Sequence, residues 1–216
     1  MVIFSGNIDS DSLETIKKII AKEAVFLPPS DFEKRFDGSK YPHLILSAKG
    51  YRMQRYNQNM WKKYIGKGLA SEIDKKKRRV ALKNINNPSE TIYVTDNANN
   101  RIRTTFKAAG FVFADKKYEI CHIGKNKAHS VDTFGAIPNL VMLPRWIASA
   151  TDHLQEIEDF LLEKSYSLYF EIMKNNNKEK EAEKLFSSLC GDESTRFEKI
   201  KQLKQVNKYI WEKTKK

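Results

Sequence analysis

The residue types best suited to acid–base chemistry in this 216-residue chain are its four histidines. His122 follows the apolar, β-rich segment 118–121, so we expect it at the end of a strand. Neutral imidazole accepts a proton near pH 7, and a histidine so placed can take a proton from an attacking water. Asn139 follows His122 by seventeen positions. The other histidines are His129, His153 and His43. Of these, we interpret His43 as structural.

The segment around His122 resembles the ββα-metal nuclease superfamily, also called HNH or His-Me finger nucleases. Cys121-His122-Ile123 is similar to the Asp-His-Ile or His-His-Ile strand end of that family, and Asn139-Leu140-Val141 is similar to its Asn-Leu-Val. Leu143-Pro144-Arg145 is similar to the Leu-Pro-Arg of the zinc-free branch, and the resemblance covers roughly residues 115–165. It implies phosphodiester hydrolysis with His122 as the general base, and it gives Asn139 the role of fastening the loop that aims the imidazole.

The resemblance also implies a divalent metal ion on the scissile phosphate. We expect Mg²⁺, with Mn²⁺ as an alternative, because hard cations take oxygen ligands and keep several waters. The chain departs from the family at two ligand positions, where it has Cys121 and Ala148. Asp152 is therefore the first candidate ligand and Glu119 the second, followed by His129, Asp132 and His153.

The charge of the chain favours a polyanionic partner. Lys and Arg number 39 against 27 Asp and Glu, a formal net charge of +12. The basic segment 52–83 is interpreted either as a solvated helix face or as a surface for nucleic acid. The resemblance implies that this nucleic acid is double-stranded DNA. The residues predicted to contact DNA are Lys75, Lys76, Lys77, Arg78, Arg79, Lys125, Lys127 and Arg145. For Arg145, an ion pair on the surface of a helix is an equally good interpretation.

The sequence predicts a cytoplasmic protein without a membrane partner. No stretch of about 18 apolar residues is present, and the N-terminal residues do not have the pattern of a secretory signal. The two cysteines, Cys121 and Cys190, are too few for a disulfide framework and are expected to be reduced.

The predicted fold class is α+β, with a ββα-metal finger core flanked by N-terminal and C-terminal helices. Asp11 and Glu14 predict the start of a first helix, and strands are predicted over 91–94 and 102–106. From Asn139 onward we predict helix. The predicted regions are a mostly helical, basic nucleic-acid-binding region over 1–90, the nuclease core over 91–173, and a C-terminal helical region over 174–216.

The function predicted from these residues is that of a metal-dependent endonuclease acting on DNA. A sequence-specific restriction endonuclease fits best, and a homodimer would suit a symmetric recognition site. The alternative is a catalytically inactive nucleic-acid-binding protein that keeps the nuclease fold. Cys121 and Ala148 favour this alternative, whereas His122 together with Asn139 disfavours it.

Overall fold

The computed structural model describes residues 9–55, 57–77, 79–95, 99–111, 117–124, 130–149, 154–191 and 194–206. These residues form helices and small sheets, which confirms the predicted α+β class. The helices are α1 (Ser10–Glu23), α2 (Pro29–Glu33), α3 (Gln58–Gly66), α4 (Glu72–Lys77), α5 (Asn99–Ala108), α6 (Arg145–Ala148), α7 (Gln155–Asn175), α8 (Glu179–Leu189) and α9 (Ser194–Val206). The strands are β1 (Arg52–Arg55), β2 (Arg79–Asn84), β3 (Asn87–Thr95), β4 (Tyr118–His122) and β5 (Leu140–Pro144).

A three-stranded sheet has the order β1-β3-β2, with β1 parallel and β2 antiparallel to the central β3. Alternate residues of β3, Ile92 and Val94, are fully buried and face a small core that also contains Trp61 and Tyr64 of α3. The prediction that residues 1–90 are mostly helical omitted β1 and β2. Strand β2 has only three apolar residues, Val80, Ala81 and Leu82, and Arg79 and Lys83 flank them, so its pattern is weak in sequence.

A larger core surrounds a two-stranded ribbon in which β4 and β5 run antiparallel. Cys121 lies opposite Val141 and His122 lies opposite Leu140. Strand β5 is buried along its whole length, because α7 packs nearby and the backbone of Val25 exchanges two hydrogen bonds of 2.9 Å with Met142. Within the described ranges, no helix combines the length and apolar character needed to cross a bilayer.

Two of the predicted elements are wrong in type. Residues 102–106 belong to helix α5, in which Ile102 and Phe106 are one turn apart and buried on the same face. At the start of this stretch, Ile102 lies between Arg101 and Arg103, and this alternation imitates a strand. The residues after Asn139 begin with strand β5, not with a helix, since a continuous apolar run has no periodicity that distinguishes the two.

The first helix begins earlier than predicted. Asp9, not Asp11, is its N-cap, and the Asp9 carboxylate accepts a hydrogen bond of 2.8 Å from the backbone N–H of Ser12. A hydrogen bond of 2.7 Å from the Ser12 hydroxyl, together with this backbone hydrogen bond, lowers the pKa of Asp9.

A buried ion cluster joins α9 to the start of α7. The Arg196 guanidinium lies 2.6 Å from a carboxylate oxygen of Glu158 and 2.8 Å from one of Asp159. The Glu158 side chain is 2% exposed and that of Asp159 is 8% exposed, so both charges depend on protein partners. Lys199 lies 3.5 Å from the second oxygen of Asp159 and supplies part of the same compensation.

Replacement of Arg196 by Met should lower the free energy of unfolding by about 3 kcal/mol, because it leaves two buried carboxylates without their main partner. Urea denaturation followed by circular dichroism measures this change. The control is Lys201→Met on the same helix, whose ion pair with Glu198 is exposed and should contribute less than about 1 kcal/mol. Equal losses in the two variants would contradict the assignment of a buried cluster.

Candidate active site

The imidazole of His122 is held in one orientation at the end of β4. Its Nε2 lies 3.0 Å from the backbone carbonyl oxygen of Phe134, and the two rings stack with centroids 5.2 Å apart and planes at 28°. A carbonyl oxygen only accepts hydrogen bonds, so Nε2 carries the proton in this arrangement. In the neutral ring the basic lone pair is therefore on Nδ1. The half-buried ring is thus fixed in both direction and tautomer.

Asn139 is fully buried and ties together the two segments that flank His122. Its side-chain oxygen accepts a hydrogen bond of 2.9 Å from the backbone N–H of Gly124, just after β4. Its side-chain nitrogen donates one of 3.0 Å to the carbonyl of Thr133. These are contacts that the fastening role predicted for Asn139 requires.

The segment 130–135 forms the turn that carries the Phe134 carbonyl. Its backbone closes on itself, because the N–H of Phe134 donates to the carbonyl of Ser130 at 2.9 Å. Val131 is buried in the small core beneath the three-stranded sheet. The neighbouring Asp132 accepts a hydrogen bond of 2.5 Å from Arg52. The turn is therefore anchored to the sheet on one side and to Asn139 on the other.

Arg52, on β1, connects the sheet to this turn. Its guanidinium bonds both carboxylate oxygens of Glu90 on β3 and, through a third nitrogen, Asp132. The side chains of Arg52 and Glu90 are 15% and 13% exposed, and hydrogen bonds from Arg52 hold the pKa of Glu90 below its usual value. The sequence does not signal this link, because the three residues are far apart along the chain.

The predicted metal ligands do not converge on His122 within the described residues. Glu119 precedes His122 by three positions in a strand, so the two side chains face opposite sides of the ribbon, and Glu119 lies 3.7 Å from Arg145. Asp132 is engaged by Arg52. In the part of the chain that the structure describes, no group of three His, Cys, Asp or Glu side chains could hold a metal ion. Asp152, His129 and His153 lie outside the described residues.

The two residues at which the sequence departs from the resemblance, Cys121 and Ala148, are buried. Cys121 is 8% exposed and Ala148 is 2% exposed, and both belong to the main core. Their side chains are therefore part of the packing that holds β4 and α6 in place.

The predicted basic cluster is partly neutralised by its own acidic neighbours. On α4, Lys75 pairs with Glu72 at 3.3 Å and Lys77 pairs with Asp74 at 3.6 Å, while Lys76 and Arg79 are exposed. Arg145 is half exposed and faces Glu119. This contact is the surface ion pair that we gave as the alternative interpretation of Arg145. The remaining residues predicted to contact DNA, which lie outside the described residues, are Arg78, Lys125 and Lys127.

A groove beside α3 carries basic and amide side chains, most of them from the basic segment 52–83, and none of them is among the residues predicted individually to contact DNA. It has a volume of about 630 Å³, and no acidic residue is among the residues that line it. Its position follows from the cap of α3, where the Asn57 side chain accepts hydrogen bonds from the N–H groups of Asn59 and Met60. A short run of amides before the helix was the available signal. The polar residues of the groove include Gln54, Asn57, Asn59, Lys62, Lys63, Lys67 and Asn86.

The arrangement around His122 can remove a proton from a bound water. A neutral imidazole accepts the proton on Nδ1, and the Phe134 carbonyl then faces the N–H of an imidazolium, whose positive charge it stabilises.

No family model, curated protein or solved structure matches the chain.

Gly135 is required by the close approach of two backbones at the end of the turn. The N–H of Ile45 donates to the Gly135 carbonyl at 2.7 Å, and a Cβ on Gly135 would lie 2.5 Å from the backbone oxygen of Ile45. No such contact is compatible with the observed backbone positions, so any side chain at this position displaces the turn.

The substitution Gly135→Ala should therefore lower the free energy of unfolding by roughly 1–3 kcal/mol, the range typical of overpacked sites. The matched control is Gly66→Ala at the end of α3, where no atom lies within 4 Å of the added Cβ. That variant should be neutral or slightly more stable, since alanine is the better helix former. Thermal and urea denaturation measure both, and a Gly135→Ala protein as stable as Gly66→Ala would disprove the close approach.

Proposed function

We propose that this chain is a divalent-metal-dependent endonuclease of the ββα-metal type, which hydrolyses phosphodiester bonds in double-stranded DNA with His122 as the general base. The observation that carries the proposal is the imidazole at the end of an antiparallel ribbon, oriented by the Phe134 carbonyl and fastened by buried Asn139. The order of ribbon and following helices agrees with the resemblance in sequence.

His122 would take a proton from water as that water attacks the phosphorus atom. The hydrogen bond from Nε2 to Phe134 keeps the ring from rotating during the transfer. Asn139 acts through the backbone on both sides of the ring and is a positioning residue.

A divalent ion, Mg²⁺ or Mn²⁺, would neutralise the charge that develops on the phosphate. Asp152 is the ligand we propose, because Glu119 faces the other side of the ribbon and is engaged by Arg145. One or two protein ligands suffice for Mg²⁺, which keeps most of its waters.

The groove beside α3 supports DNA as the substrate. Lysines such as Lys62, Lys63 and Lys67 can neutralise phosphates, and amide side chains can hydrogen-bond to base edges in the major groove. This combination fits a sequence-specific restriction endonuclease, which as a cytoplasmic homodimer would cut a symmetric site.

A second candidate function is that of a nucleic-acid-binding protein without catalytic activity. The observation that favours it is the burial of Cys121 and Ala148, at the positions where the family has metal ligands. Such a protein would keep the groove beside α3 and bind DNA without cutting it.

The His122→Ala variant should nick supercoiled plasmid at least about 100-fold more slowly than the wild type in Mg²⁺ or Mn²⁺, because general-base catalysis contributes at least that factor. Gel electrophoresis of the plasmid over time measures the rate. Added imidazole should restore part of the activity of His122→Ala, whereas it should not change that of the wild type. Wild-type protein that binds DNA but does not cut it with either ion would instead support the inactive alternative.

The triple variant Lys62→Ala, Lys63→Ala, Lys67→Ala should bind duplex DNA more weakly at every sequence. Its affinity should also depend less on salt, with the slope of log K against log salt reduced by roughly 0.9 per lysine that contacts a phosphate. Fluorescence anisotropy at several salt concentrations measures this. The control pair Lys75→Ala, Lys77→Ala removes lysines that face carboxylates and should change the slope less. A larger effect of the control would place the DNA on α4.

A further inference from the structure

A second cavity, of about 430 Å³, lies between the segment around Tyr41, the 130–135 turn and helix α8. It is separate from the groove beside α3, and the two share no lining residue. Its wall includes Asp132 and Thr133, the residues that precede the carbonyl on which His122 is held. A ligand in this cavity would therefore contact the turn from the side of α8.

The charges that line this cavity give it a positive excess. The lining has four cationic side chains and two carboxylates. Asp132 is engaged by Arg52 at 2.5 Å, and Glu181 is engaged by Lys178 at 3.0 Å. Glu181 therefore has its own cation, Asp132 shares Arg52 with Glu90, and the exposed Lys40 and Lys184 add two further positive charges. An anionic group is the complement of this lining.

The same cavity offers flat and apolar surface for a planar group. Tyr41 lies in the wall with the Arg52 guanidinium 5.4 Å from its ring centroid, and Leu185 adds apolar surface. Burial lowers the pKa of His43 to about 4, so its ring is an uncharged flat surface at pH 7. The Nδ1 atom of His43 is buried without a hydrogen-bond partner among the described residues. A buried polar atom without a hydrogen-bond partner lowers the stability of the fold. Residues that carry such atoms are often retained for binding.

We propose that this cavity binds a nucleotide, with the phosphate between Lys40 and Lys184 and the base against Tyr41 and His43. The volume is within the range of small-ligand sites and exceeds what phosphate alone needs. The choice of a nucleotide over other phosphate esters rests on the proposed function, whereas the anionic and planar character follows from the lining itself. The ligand is either a nucleotide of the bound DNA or a free mononucleotide.

Isothermal titration calorimetry of the full chain with each of the four deoxynucleoside 5′-monophosphates tests the site. At least one should bind, and inorganic phosphate and the matching nucleoside should each bind at least tenfold more weakly. The variants Lys184→Glu and Ser188→Trp, which reverse a charge and fill the cavity, should each weaken nucleotide binding at least tenfold. Lys18→Glu, an exposed change of the same charge on α1 outside the lining, should leave it within twofold.

Three results would overturn the proposal. They are the absence of binding by all four nucleotides at millimolar concentration, equal binding of inorganic phosphate, and an equal loss in Lys18→Glu. Competition by a duplex oligonucleotide identifies the ligand as part of the DNA, and binding without competition identifies it as a free nucleotide. The His122→Ala protein should bind nucleotide normally, so a failure of the nuclease proposal alone leaves this result unchanged.

Discussion

The site depends on the 130–135 turn being held from several sides at once. Asn139 holds its Thr133 carbonyl, Arg52 holds Asp132, and the backbone of Ile45 closes on Gly135. A turn on the surface is ordinarily among the more mobile parts of a protein. Here the carbonyl that orients His122 is fixed relative to the ribbon and to the three-stranded sheet together, and the direction of the imidazole follows from that.

The partial burial of the Arg52 charge costs hydration free energy, and the contacts of Arg52 explain why a charged residue is used at this position. A guanidinium and a carboxylate that are mostly withdrawn from water lose hydration, and their mutual attraction offsets this only when the geometry is good. Two nitrogens of Arg52 donate hydrogen bonds to Glu90 and a third donates one to Asp132. One residue of β1 therefore fixes both β3 and the turn. An apolar replacement could pack the sheet, but it could not hold Asp132. Strand β1, which contributes Gln54 to the groove beside α3, is thereby tied to the turn that orients the imidazole.

The sequence predicted local features better than long-range ones. The pattern within a short segment predicts that His122 ends a strand, and the resemblance implies the fastening role of Asn139, whose side chain bonds the backbone just after that strand. The strand at 140–144 was mistaken for helix because full burial removes periodicity, and α5 was mistaken for strand because arginines alternate with its first apolar residue. The bond from Arg52 to Asp132 spans 80 positions, and no local pattern encodes it.

The geometry of the ribbon limits which residues could supply the proposed metal ligand beside His122. Because side chains alternate along a strand, Glu119 faces the side of the ribbon opposite to His122. Asp132 is already bonded to Arg52. Helix α6 ends at Ala148, whose methyl group is enclosed by the core, so the first turn after β5 offers no donor there. In the proposed nuclease, Asp152, which lies between α6 and α7 in the sequence, would supply the oxygen ligand. In the proposed nuclease, the burial of Cys121 and Ala148 and the need for another ligand such as Asp152 would follow from the same packing around the ribbon.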